Sequence, residues 1–387
     1  MKRLGLLINA SRRRDVAAYR RIAGFLPMLV SEPLLWKMPP VRLSTILRNN
    51  QPVGFISGIG VTALLGKTLD YLDNEEKLRR RKKNQAVLPP IASKIMWLLR
   101  PTIRQAKIKN QLPKDANLIE HKVQIGISDA VKQGAQVVVL TGYTGAGAHG
   151  QRAITQYRND HPEDTTILTT GNGLTAAVLF KSAHMALGEM GQKKENVHIA
   201  LLGAYGSIGR AMAELLAEEG FGTLQLVGPS QEKLGRLLKQ LEGKDCPEKP
   251  RKIFTVTDCS RLSEADLVIA VSASPRPYVK SKHLKRGATI IEASAPPALE
   301  KGIAKRRRDL TVYTGGMLKI EGDWDFGFDF GLPRGWCFAC MGEGYVFCQG
   351  EDPKLATVTA KIPINSMRAW LAILDENKYG IKIALRS

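Results

Sequence analysis

Two constellations in this 387-residue chain carry residue types and spacings that could do chemistry. The first runs through Val197–Ser230, where an apolar stretch ends in Gly203, Ala204, Tyr205, Gly206, Ser207, Ile208 and Gly209. An Ala/Leu/Glu-rich segment follows to Glu219, then Gly220, then a second apolar run, Thr223–Val227. Strand, tight turn, helix and strand in that order make a dinucleotide-binding βαβ unit. Gly203 permits the turn, Gly206 lets backbone N–H groups approach a pyrophosphate, and Gly209 lets the helix sit close on the sheet. The helix N-terminus, with free N–H groups and the positive end of its dipole, receives the anion. A phosphate-free α/β turn is the bland alternative. An acid at the end of the second strand would bind a ribose 2′-hydroxyl and repel a 2′-phosphate. This chain has Gly228, Pro229 and Ser230 there, followed by Lys233 and Arg236. The pattern favours NADPH, with NADH the alternative; solvated helix cations are the plain reading.

The second constellation is Cys337-x-x-Cys340, with Glu343 three residues further and Cys348 beyond it. A zinc site needs four ligands, and no second CxxC or paired-histidine spacing accompanies this one, so no metal is expected. A buried, inert cysteine is the general alternative for each thiol. A nucleophilic thiol beside a nicotinamide has a use: it holds an acyl group as a thioester while hydride arrives. The spacing alone does not choose between Cys337 and Cys340.

The elements that must position these groups follow an α/β order. Leu118–Lys132 is expected helical and Gln136–Leu140 a buried strand, running into a glycine-rich loop, Thr141–Gln151, that carries His149. Thr166–Thr169 is a further short strand, after which Asn172 could cap a helix to about Met190. Lys252–Thr257, Leu267–Val271, Ala288–Glu292 and Thr311–Tyr313 supply the remaining strands of a doubly wound parallel sheet. Ser272 and Ala273 then face the cofactor at its carboxyl edge. The expected architecture is a Rossmann-type doubly wound parallel sheet preceded by a second α/β substrate domain. The expected divisions are a basic region at 1–116, the substrate or catalytic domain at 117–190, the NAD(P) domain at 191–320, and a C-terminal segment at 321–387 with the cysteine element and closing helices.

Composition sets the boundary conditions. A formal net charge of +21 is concentrated at the front: residues 1–110 hold 22 Lys and Arg against 6 Asp and Glu. Such a field attracts an acidic carrier protein, coenzyme A phosphates or an anionic membrane surface, unless these are merely solvated faces. Lys77–Lys83 is a charge run, and Pro89–Asn110 sets an apolar surface among cations, as a membrane-surface helix or a core helix would. Nucleic acid is disfavoured, because the charge runs lack interleaved aromatics for stacking. Five cysteines, unpaired in number, point to a reducing compartment. With no signal-peptide pattern and no apolar span, a cytoplasmic protein with peripheral membrane contact is expected.

The chain resembles the cyanobacterial-type, fatty aldehyde-generating acyl-ACP reductases. The resemblance rests on TTGN (Thr169–Asn172), GAYGSIG (Gly203–Gly209), QEKLGRLLKQL after the second strand, VYTGGM (Val312–Met317), and FAC followed by Glu (Phe338–Cys340, Glu343). It implies reduction of a fatty acyl thioester to an aldehyde, with Cys340 as the acylated nucleophile and acyl carrier protein or acyl-CoA as the donor. His149, Asn172 and Glu343 are the candidates for activating the thiol or holding the oxyanion; each is equally a surface histidine, a cap and an exposed acid. The chain departs from that family at Gly228–Ser230, where an arginine is usual, and in the basic insertion at about 73–116. The competing functions are a dehydrogenase of shikimate or amino-acid type, which needs no thiol, and a non-catalytic lipid- or carrier-binding protein.

Overall fold

The computed structural model describes residues 2–9, 41–49, 51–59, 116–145, 147–243, 248–274, 276–294, 297–326, 332–359, 361–383 and 385. The charge run at 77–83 and the apolar-cationic stretch at 89–110 lie outside the described residues. The first part of the chain supplies β1 (Leu4–Asn9), β2 (Val41–Arg48), β3 (Gln51–Ile59), α1 (Ala116–Lys132), β4 (Val137–Leu140), α2 (Gly147–Asp160), β5 (Ile167–Thr169) and α3 (Asn172–Met190). The middle supplies β6 (His198–Leu202), α4 (Ser207–Leu216), β7 (Thr223–Val227), α5 (Gln231–Glu242), β8 (Lys252–Val256), β9 (Leu267–Ala270), β10 (Thr289–Glu292), α6 (Ile303–Arg306) and β11 (Thr311–Thr314). Then come β12 (Met317–Ile320), β13 (Trp324–Asp325), β14 (Trp336–Phe338), α7 (Ala339–Cys348), α8 (Ile364–Asp375) and β15 (Ile381–Ile383).

The middle part folds as expected. Six strands, all parallel, stand in the order β11-β10-β9-β6-β7-β8. The chain order reverses between β6 and β9, and a crevice opens at such a switch point beyond the carboxyl ends of the strands. The central runs are largely buried, as in β9, because helices cover both faces, while the edge strands β8 and β11 stay partly exposed.

The first sheet takes its strands from the front of the chain, from residues 137–169 and from residues 324–325. Its order is β13-β2-β3-β1-β4-β5, with β1 parallel to both β3 and β4, and with β2 and β13 antiparallel at one edge. Among the described residues at the front of the chain, β1, β2 and β3 are half of this sheet. Leu4, Leu6, Leu7 and Ile46 are buried in it. The segment 321–387 returns as well, through β13 and the fully buried Trp324. Charge marked the front of the chain as distinct, but the short apolar alternation of its strands decides where it packs.

Helix α3 joins the two halves. It is buried nearly all round, through Leu174, Ala176, Ala177, Val178, Leu179, Ala183 and Ala186, as a helix sandwiched between layers must be. Its alanines keep the neighbouring layers close; each larger buried side chain, such as Leu174 or Leu179, stabilises by roughly 1.5–3 kcal/mol. Both Gly315 and Leu179 sit at this seam, where a Cβ on the glycine would come within 2.8 Å of the leucine. A small antiparallel sheet, β14-β12-β15, presents α7 to α3. Among the described residues, no helix is long and apolar enough to cross a membrane.

Candidate active site

Strand β14 pairs with β12, Met317 opposite Phe338, and the chain then turns straight into α7. Phe338 is the extended residue before the helix, and no side chain caps it; Ala339 N–H donates instead to the Gly316 carbonyl at 2.8 Å. Gly316 lies just past the carboxyl end of β11, so this bond fixes the start of α7 at the edge of the second sheet. Cys340 is the second residue of α7. Its sulfur accepts backbone N–H bonds from Met341 and from Gly142, which follows β4 in a tight turn at φ +56°. The thiol thus sits where the carboxyl edges of both sheets meet. Burial pushes Cys340 up to about 11 and the nearby Glu343 charge pushes the same way, while the backbone N–H groups of Gly142, Met341 and Cys340 itself pull it down. Cys340 keeps partial solvent access; Cys259, Cys337 and Cys348 are buried. Burial also raises Cys337, whose neutral thiol lies beneath the site. Of the two thiols that spacing left open, Cys340 is the one partly exposed.

Glu343 is not the exposed acid of the plain expectation but is fully buried. One oxygen accepts Leu174 N–H at 2.8 Å; the other accepts the Thr169 hydroxyl and, at 3.4 Å, Thr357 N–H. It therefore fills the N-terminus of α3, together with Thr357 Oγ1, which accepts Gly173 N–H at 2.9 Å. The expected cap, Asn172, is instead the first residue within α3. Gly171 precedes it in the left-handed region (φ +70°) with no side-chain cap bond, a conformation that glycine adopts without strain. Asn172 is 8% exposed, and among the described residues its side-chain amide makes no hydrogen bond. His149 lies in the first turn of α2 and not in a loop, because the glycines of that stretch allow the helix to begin at Gly147. Both stand on the carboxyl edge that also carries Cys340.

At the glycine turn, Gly203 and Gly209 have the geometry expected of them, while the Gly206 N–H donates to Gly203 O at 2.9 Å. Gly203 has φ +84°, and its N–H and that of Ala204 tie back to Val227 O at 2.9 and 3.2 Å. A Cβ on Gly209 would lie 2.2 Å from the Gly203 carbonyl oxygen, so only glycine lets α4 start here. No side chain caps α4, and Ser207 Oγ at its first position is buried without a partner among the described residues. The contrast between helices is chemical: α3 has its N-terminus filled by an acid, while α4 has no side-chain cap among the described residues. Tyr205 lays its ring where a Cβ on Gly228 would be, 2.6 Å away, and Lys233 Nζ stands 5.4 Å from the ring centre. Ser230 Oγ caps α5 by accepting Lys233 N–H at 3.4 Å. Ile208 is half-buried in the first turn of α4; Ser272 and Ala273 follow β9 across the crevice from Gly203, whose Cβ position would lie 3.0 Å from Ser272 Cα. These residues fit a dinucleotide. Among the described residues, no group of three His, Cys, Asp or Glu side chains gathers to hold a metal.

Gly142, Gly171, Thr169 and Thr357 are the site residues that sequence reasoning did not single out as such. TTGN contained two of them, and a glycine directly after β4 was a signal for the third. Thr357 carried none.

The class defined by this architecture is an α/β protein with a Rossmann-type sheet beside a mixed one. No family model matches the chain. It is similar to the aminotransferase PigE of a Serratia species, with 26% identity over 213 residues, 54% of this chain and 24% of that one. It is similar also to the long-chain acyl-[acyl-carrier-protein] reductase of Synechococcus elongatus, with 28% identity over 262 residues, 64% of this chain and 72% of that one. The chain thus spans about a quarter of the first relative's length. Among solved structures, a dipicolinate synthase chain from Bacillus halodurans aligns at a TM-score of 0.31 and 13% identity, covering 48% of this chain and 73% of that one. A putative malic enzyme aligns at 0.31 and 19%, covering 49% and 50%.

Proposed function

We propose that this protein is an NADPH-dependent reductase that takes a fatty acyl group from a carrier-protein or coenzyme A thioester onto Cys340 and releases it as an aldehyde. One observation carries the reading: the partly exposed Cys340 sulfur rests on the Gly142 and Met341 N–H groups where the two sheet edges meet. The glycine turn with its uncapped α4 and the similarity to an acyl-ACP reductase support it.

The chain's own residues divide the work. A thiol at about 11 is ionised to about one part in ten thousand at pH 7, so attack needs a base, and His149 on the same edge is the candidate. Cys340 sulfur adds to the thioester carbonyl as its proton leaves, the donor's C–S bond breaks, and the departing thiolate takes up a proton. The Gly142 and Met341 N–H groups hold sulfur's negative charge on the way. The Asn172 amide would hold the carbonyl oxygen as charge develops there. The reduced nicotinamide, when bound, supplies hydride to the acyl carbon. The oxyanion formed collapses to the carbonyl as the Cys340 C–S bond breaks, freeing the aldehyde and a Cys340 thiolate, which takes up a proton from water to return the thiol. Gly203–Gly209 and Ser207 would receive the pyrophosphate, Ser272 and Ala273 would line the nicotinamide side, and Lys233 with Ser230 would face a 2′-phosphate. The excess of cations in residues 1–110 suits an acidic carrier protein and contact with an anionic membrane surface.

The test is NADPH oxidation with acyl-ACP and acyl-CoA while aldehyde is trapped as a hydrazone. Cys340→Ala is expected to abolish both signals and Cys337→Ala to keep them. NADPH oxidation by Cys340→Ala at the wild-type rate would overturn the reading in favour of a thiol-independent dehydrogenase. Absence of oxidation in every form would favour the binding protein.

A further inference from the structure

The reaction above leaves one buried acid without a chemical task. Glu343 is 0% exposed and, among the described residues, pairs with no cation. Burial raises its pKa, while the donors from Thr169, Leu174 and Thr357 lower it. An isolated buried carboxylate is expensive, and a hydrophobic residue would ordinarily serve packing better.

The pattern of hydrogen bonds explains why an acid stands here. Thr169 Oγ1 accepts Gly171 N–H and Thr357 N–H, both at 3.1 Å, which uses its two lone pairs. Its single proton must go outward, and of its two acceptors Glu343 is nearer than the Thr357 carbonyl at 3.4 Å. Leu174 N–H arrives at the other Glu343 oxygen. The position must therefore accept on both atoms, which a carboxylate does and a glutamine cannot. The loop at Thr357 is fastened in the same knot, since its carbonyl accepts Thr170 N–H at 2.8 Å and the Thr170 hydroxyl at 2.9 Å. What the knot holds is Gly171, whose backbone packs on Cys340: a Cβ there would lie 2.5 Å from both Cys340 Cα and Cβ. Asn172 comes next in the chain.

We propose that Glu343 is the positioning residue of this site: from within the helix that carries Cys340 it clamps the first turn of α3, and so holds Gly171 and Asn172 against the thiol. The inference rests on the reading of Cys340 as nucleophile. Its position also places a negative charge near the sulfur, so the Cys340 titration records it. The groups facing that sulfur are the Gly142 and Met341 N–H groups, the Glu343 carboxylate and the Cys337 thiol beneath.

The full-length chain carrying Glu343→Gln, and separately Thr357→Val, is compared with wild type in three readouts. These are NADPH affinity by fluorescence, kcat and KM with an acyl-CoA, and the pH profile of iodoacetamide alkylation at Cys340 located by peptide mass spectrometry. Glu343→Gln is expected to lower kcat about ten- to a hundred-fold, leave NADPH affinity within about twofold, and move the alkylation profile to lower pH by removing the charge. Thr357→Val removes the Gly173 acceptor and a hydroxyl that lowers the Glu343 pKa but leaves the acid in place, so kcat falls several-fold and the profile moves less than in Glu343→Gln. A kcat within about twofold of wild type in either variant, or an unmoved profile in Glu343→Gln, overturns the proposal. If Glu343→Gln fails to fold, Thr357→Val decides alone. A wild-type protein that reduces no acyl-CoA or acyl-ACP sinks the nucleophile reading instead, and the alkylation profile still decides whether Glu343 governs the site.

Discussion

Gly171 and Cys340 are in backbone contact across two elements far apart in sequence, with room for no Cβ between them. Gly171 also holds φ +70°, where an L side chain costs roughly 1–2 kcal/mol. That strain alone is small beside a typical stability of about 5–15 kcal/mol, so Gly171→Ala should fold. The 2.5 Å overlap must then be relieved by moving Cys340 or the start of α3. The expected outcome is a modest fall in Tm with loss of about 90% or more of reductase activity. Wild-type turnover in this variant would show that the contact does not set the geometry of the thiol.

Gly209→Ala should weaken NADPH binding by about tenfold or more, because its Cβ would strike the Gly203 carbonyl oxygen at 2.2 Å and shift the turn that receives the pyrophosphate. Acyl transfer to Cys340 needs no nucleotide and should persist. Fluorescence titration separates the two. Unchanged NADPH affinity would mean that the turn is a packing feature only.

Much of this arrangement was legible in the sequence, for identifiable reasons. The second sheet follows from short apolar runs at regular spacing and from glycines whose roles are local, so Gly203 and Gly209 could be assigned on sight. The first sheet was hidden because its strands come from both ends of the chain: no local pattern tells β1 that its neighbours are β3 and β4. Asn172 was read as a cap because caps are usually local, whereas α3 is capped by Glu343, far later in the chain. Thr357 could not be found, since its role exists only once α3 and α7 are packed.

Nucleotide choice should rest on Lys233. Gly228 at the end of β7 is covered by the Tyr205 ring, and the acid of the first turn of α5, Glu232, pairs with Arg236. Lys233→Glu is expected to weaken NADPH binding about tenfold or more while changing NADH little, since about 1.4 kcal/mol is a factor of ten and a charge reversal beside a phosphate exceeds that. Equal losses for both nucleotides would place the 2′-phosphate elsewhere.

The thiol should announce itself through pH. Cys340 ionises near 11 in the folded protein against an ordinary 9.0, so its alkylation rate should climb about tenfold per pH unit from about 7 to about 10. The sign for stability is opposite. The fold holds this proton more tightly than the unfolded chain does, so the contribution is fully present below about pH 9 and is lost as pH rises through about 11. An alkylation rate already level by about pH 8 would contradict the burial argument.

The most direct measurement is the intact mass of the protein after mixing with long-chain acyl-CoA or acyl-ACP without NADPH. The expected result is a gain of one acyl group, absent in Cys340→Ala and lost as aldehyde when NADPH is added. No acylation by either donor, or acylation that survives Cys340→Ala unchanged, would rule out a Cys340 acyl-enzyme.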